Sequence, residues 1–132
     1  MDWLRARIQG LMLVSGALTC TMLYAAFAPE AALRSNFGES LAGPVAEIVV
    51  RNWGALIGLV GAMLIYGAFH PPVRRLVLLV AGVSKAVFIG LVLVFGRDYL
   101  GQAVGIAVGV DAVMVLLFGV YLAGPRRARA TA

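Results

Sequence analysis

Four apolar runs, each about 20 residues or longer, restrict this chain to very few folds. They are Ile8 to Ala28, Val45 to Phe69, Leu76 to Phe95 and Ala103 to Ala123. At about 1.5 Å of rise per residue, each run covers the roughly 30 Å hydrocarbon core of a bilayer. Lipid offers no partner to an unpaired peptide group, so such runs must be helices or belong to a closed barrel. Four segments cannot close a barrel, and no period-two alternation is present. The sequence therefore predicts an all-α, integral membrane four-helix bundle, with residues 1–132 forming one transmembrane domain. Composition agrees: the chain is 62% hydrophobic and 13% charged, too little polar material for the shell of a soluble domain. No stretch is left for a separate soluble domain.

The formal charge is +5, yet its placement argues against nucleic acid as a partner. The basic residues sit at the ends of apolar runs, not on a polar face interleaved with aromatics. Their distribution predicts topology. With the N-terminus inside, cytoplasmic segments hold Arg5, Arg7, Arg74, Arg75, Arg126, Arg127 and Arg129. The other side holds Arg34, Arg51 and Arg97, beside Glu30, Glu39, Glu47 and Asp98. Seven against three predicts both termini in the cytoplasm and a multi-pass location in the inner (plasma) membrane. The first run imitates a signal peptide ending at Ala26-Phe27-Ala28, but Pro29 directly follows and argues against cleavage.

The connection after the first run carries helix signals of its own. Pro29 and Glu30 suit a first turn, Ala31, Ala32, Leu33 and Phe37 supply an apolar side, and Gly38 supplies a stop. One short interfacial segment is expected over about residues 30–42, with Gly43-Pro44 restarting a helix. The string Tyr24-Ala-Ala-Phe27-Ala-Pro29 is echoed by Tyr66-Gly-Ala-Phe69-His-Pro71. We read both copies as an interface aromatic followed by a proline stop.

Lys85 and Asp111 are the sharpest chemical features. Each lies near the middle of its run, and an antiparallel hairpin centred near residues 98 and 99 sets residue 85 opposite residue 112. An isolated charge at mid-bilayer costs about 2.5–3.5 kcal/mol on insertion scales, so two opposite charges at one depth are expected to pair. The pair reads either as a polar site for a ligand or proton, or as a device that fixes helix register. Glu47 and Arg51, spaced i, i+4, form a second expected pair beside Asn52 and Trp53. They read either as the mouth of an outward-facing cavity or as a snorkelling anchor. If they face inward, Ser15, Thr19, Thr21 and Ser84 join them to Lys85 and Asp111.

Glycines mark packing faces. Gly54 and Gly58 repeat on the second run, and Gly101, Gly105 and Gly109 repeat on the fourth, about 120° from Asp111. The fourth-run stripe is expected to meet another helix of the bundle or a second copy of the chain in a homodimer or larger membrane complex. The single cysteine, Cys20, forms no intramolecular disulfide, and the single histidine, His70, lies in a turn. No histidine stands within a run to ligate haem, no metal set is visible, and no cofactor is named by any motif.

Four spans, a longer segment after the first, Arg51 with Trp53-Gly54 opening the second and an ionisable residue in the third together resemble the DoxX-like group of small bacterial membrane proteins. That resemblance implies the same four-span plan, and some members of the group are linked to quinone or thiosulfate oxidation complexes. It assigns no catalytic residue. Three functional readings stand: a non-enzymatic ligand-binding or accessory subunit of a membrane complex, a small proton-coupled transporter using Lys85 and Asp111, and a quinone-linked oxidoreductase subunit.

Overall fold

The computed structural model describes residues 2–125; Arg126, Arg127 and Arg129 of the topology count lie outside them. The elements are α1 (Asp2–Cys20), a 3-10 turn (Thr21–Leu23), α2 (Tyr24–Phe27), α3 (Pro29–Phe37), α4 (Gly43–Phe69), α5 (Pro71–Phe95), a second 3-10 turn (Arg97–Tyr99) and α6 (Ala103–Ala123). Four stretches are long and apolar enough to cross a membrane: Ala6–Phe27, Gly43–Phe69, Pro71–Phe95 and Ala103–Ala123. The chain is an all-α multi-pass membrane protein.

The spans run up and down around a main core, with a smaller cluster of Ala25, Ala32 and Val50 toward the other end. Ile8 and Met12 of α1 meet Leu64 and Ala68 of α4, Val77, Leu78 and Ala81 of α5, and Met114 and Phe118 of α6. These residues come from the start of α1 and α5 and the end of α4 and α6, so the core fills the half nearest the N-terminus. We call that side the N-terminal face. The opposite, far face carries α3 and the turn between α5 and α6.

α1 and α4 make the closest crossing, because glycines remove the side chains between them. A Cβ on Gly61 would come within 2.7 Å of the Cys20 amide nitrogen and 2.8 Å of the Gly16 carbonyl oxygen. One on Gly54 would stand 2.7 Å from the Ala26 amide nitrogen. The Gly54 and Gly58 repeat is thus the seam against the first span. The fourth-span stripe behaves differently. Nothing lies near Gly101 or Gly109, and Gly105 is required by the carbonyl of Leu100 in its own turn. Gly101 and Gly109 of that stripe therefore meet no other helix among the described residues.

The Tyr-x-x-Phe-x-Pro echo has a structural cause. Ala28 joins α2 to α3 with φ −132° and ψ 67°. His70 joins α4 to α5 with φ −126° and ψ 81°. A residue before proline is driven out of the helical region, while the proline itself is well suited to begin the next helix. Each copy is a one-residue corner. This also explains why the third span starts at Pro71 and not at Leu76: Pro71 and Pro72 open α5 as well as ending α4. The short helix α3 ends at Gly38, whose φ of 70° lies in the left-handed region.

Arginines cap the carbonyl ends of all four spans. Arg51 Nη1 donates to Ala26 O at 2.6 Å. Arg74 donates to Gly67 O at 3.3 Å and Ala68 O at 2.7 Å. Arg97 Nε donates to Leu93 O at 2.6 Å, and Arg75 Nη2 donates to Leu122 O. The last carbonyls of a helix lack internal partners and carry its negative dipole end, so a guanidinium there satisfies both.

Candidate functional site

The polar centre is assembled by α1, α5 and α6. Lys85 of α5 lies 2.7 Å from Asp111 Oδ1 of α6. It also donates to Thr19 Oγ1 of α1 at 3.2 Å. Thr19 in turn donates back to the Ser15 carbonyl at 2.7 Å, which leaves its lone pairs for the lysine. Lys85 is buried and Asp111 half-buried. Ser15 is 1% exposed, and its hydroxyl has no hydrogen-bond partner among the described residues. A buried, unsatisfied hydroxyl costs about 1–3 kcal/mol, so this one calls for an explanation.

The first span tightens immediately after these residues. Thr21 Oγ1 bonds to the Leu18 carbonyl, and the helix passes into the 3-10 turn Thr21–Leu23. Threonine back-bonding of this kind bends helices. Leu23 of this turn packs on Gly58, and Thr21 and Met22 line the space that α6 also lines.

Between α1 and α6 the bundle is open. A cavity of about 300 Å³ has Lys85, Asp111, Thr19 and Ser15 among its walls. Its other walls include Trp53 and Ile57 of α4, Phe88 of α5, Ala107 and Met114 of α6, and Asn36 of α3. Leu18, Ile106 and Val110 line it at the side, and all three are exposed. The cavity therefore opens laterally, where lipid would be. On the N-terminal side Met12, Ala81 and Phe118, each 1% exposed or less, fill the bundle.

α3 covers the far end. Asn36 Nδ2 donates to Tyr24 Oη at 3.0 Å and to the Ala32 carbonyl at 2.9 Å. Phe37 packs on Trp53 at 6.2 Å and edge-on to Tyr99 at 5.4 Å between ring centroids. Tyr99 Oη donates to Glu39 Oε1 at 3.0 Å. That bond, and then the carboxylate's charge, raise the Tyr99 pKa above its ordinary 10.0.

The remaining sequence-derived candidates lie elsewhere. Arg51 holds Glu47 at 2.8 Å and the end of α2, and neither residue lines the cavity. Asn52 is exposed, Ser84 is half-buried, and both lie outside it. No polar chain runs from Glu47 and Arg51 to Lys85; apolar Trp53 and Ile57 stand on the α4 wall instead. Sequence reasoning did not single out Asn36, Phe88, Ala107 or Met114 as walls. The signal for the α1 wall was present in the i, i+4 spacing of Ser15 and Thr19 within an apolar run.

No family model matches this sequence, and no curated protein or solved structure does.

Proposed function

We propose that this protein is a non-enzymatic membrane receptor or accessory subunit that binds an amphipathic molecule taken sideways from the bilayer between α1 and α6. One observation carries the reading: an apolar cavity, open laterally, ends on the buried cluster Lys85, Asp111, Thr19 and Ser15. Small-molecule sites characteristically combine apolar walls with a few converging polar groups. Intramembrane ionisable residues point to function in the same way.

Binding is favoured over proton-coupled transport by the filled half of the bundle. Met12, Ala81 and Phe118 separate Lys85 from the N-terminal face, so the site has one open side. The quinone-linked reading is the same cavity with a redox-active occupant, and the DoxX-like plan is what favours it. For orientation we propose both termini in the cytoplasm. Arg51 and Arg97, two of the three arginines on the far face, are engaged in capping helix ends, which lessens their weight against that topology. A homodimer through the open Gly101 and Gly109 face is part of the proposal.

The test is native mass spectrometry of the full chain released from its membrane. The wild type is expected to retain a lipophilic adduct, and Ala107→Phe, which fills the cavity, is expected to lose it while staying folded. An adduct unchanged in Ala107→Phe would defeat the reading.

A further inference from the structure

The inventory of unused hydrogen-bonding groups on the cavity wall specifies the ligand's head. Lys85 Nζ carries three N–H donors and uses two, on Asp111 and Thr19. Asp111 uses Oδ1 and leaves Oδ2 without a partner among the described residues. Ser15 leaves a whole hydroxyl, able to donate and to accept, on a side chain 1% exposed. The open groups are thus an ammonium N–H from α5, a carboxylate oxygen from α6 and a hydroxyl from α1, all on residues that line the cavity.

Their charges sum to zero, because Lys85 and Asp111 cancel. A carboxylate or phosphate head would meet the Asp111 oxygen, and a cationic head would meet the Lys85 ammonium. With little water to screen them, either contact is penalised. A pure hydrocarbon would leave all three groups unpaired. Among anionic, cationic, headless and uncharged molecules, one with an uncharged head that both donates and accepts satisfies the set. The exposed Leu18, Ile106 and Val110 at the opening suit an apolar chain continuing into lipid.

We propose that the cavity selects an uncharged amphiphile with a hydroxyl head, which donates to Asp111 Oδ2, accepts from Lys85 and completes the Ser15 hydroxyl. The inference rests on the binding reading above, and the experiment separates their failures. Trp53 lines the cavity, and Trp3 is the other tryptophan, so a Trp3→Phe background leaves Trp53 as the sole reporter. The purified full chain in detergent is titrated with four probes that share one alkyl chain, brominated near the head: an alcohol, a carboxylate, a quaternary ammonium and the headless alkane. The buffer is alkaline enough to ionise the acid.

The alcohol is expected to quench Trp53 saturably, about tenfold or more tighter than either charged probe. Ser15→Ala is expected to weaken the alcohol about five- to tenfold and to leave the alkane unchanged. Thermal melts of both proteins confirm that the comparison is between folded chains. Equal saturation by all four probes overturns the head assignment and leaves the cavity reading standing. Tightest binding of the carboxylate or the ammonium also overturns it. An alcohol affinity unchanged in Ser15→Ala removes Ser15 from the site. Absence of saturable quenching by any probe overturns the cavity reading itself, leaving water as the partner of the buried hydroxyl.

Discussion

The two halves of the bundle are built on opposite principles. Toward the N-terminal face, Ile8, Met12, Leu64, Leu78 and Phe118 interlock with almost no exposure. Toward the far face, α1 keeps its close contact with α4 but stands apart from α6 around a cavity, and the polar side chains on its walls include Lys85, Asp111, Thr19 and Ser15. In lipid, hydrophobic residues gain little from meeting each other, so the tight half is held by close packing together with the Arg74 and Arg75 caps. The open half is held by the Lys85–Asp111 pair, by the Arg51 and Arg97 caps and by α3 across its end. The contrast shows how one short chain can be tightly packed at one depth and leave a cavity at another, where the proposed binding would occur.

The largest effect should come from splitting the pair. Lys85→Met leaves Asp111 unpaired inside the bundle and should cost about 3–5 kcal/mol, read by folded yield and by unfolding in denaturing detergent. Combining it with Asp111→Leu should recover most of that loss, because no lone charge remains. A double variant as poor as the single would show that the polar centre does more than cancel its own charges. Next, Phe118→Ala in the tight half should cost about 2 kcal/mol or more, mainly through the cavity it leaves. Ile106→Ala at the open side should stay within about 0.5 kcal/mol in the same assay. Similar losses at both sites would erase the distinction between the halves.

The glycines sharpen the comparison at a smaller scale. Gly61→Ala drives a methyl into the backbone of α1 and should destabilise by about 1–3 kcal/mol. Gly109→Ala meets open space and should leave the melting temperature unchanged. If the proposed dimer uses that face, Gly109→Leu should shift the protein toward monomer in sedimentation, at constant monomer stability. The smallest effect concerns the far-face cover. Raising the Tyr99 pKa means that its contact with Glu39 stabilises the fold below pH 10.0 and is lost as pH rises through the raised value. Tyr99→Phe should lower stability slightly at neutral pH and remove that alkaline dependence, as seen in melts across pH.

Much of this architecture was legible because bilayer physics leaves few choices. Run length dictated the spans, and proline and glycine dictated their joints, including α3 and its Gly38 stop. Lys85 and Asp111 were legible as a pair because a hairpin fixes depth. Other features were not. Arg51 read either as part of a polar mouth or as an anchor paired with Glu47; the pair is present, but its hold on the end of α2 depends on a helix end visible only in three dimensions. The Gly101, Gly105 and Gly109 repeat looked like one packing face, yet Gly105 serves its own turn. The cavity lies between α1 and α6 beside the 3-10 turn Thr21–Leu23, two of whose residues line it. Hydropathy is blind to that arrangement.

The central claim is that the open half holds a ligand-sized space reached from the bilayer. The most direct measurement is quenching of Trp53 by one brominated amphiphile, compared between the Trp3→Phe protein and the same protein carrying Ala107→Phe. Saturable quenching in the first and only weak, linear quenching in the second is the predicted result. Identical curves would contradict the account.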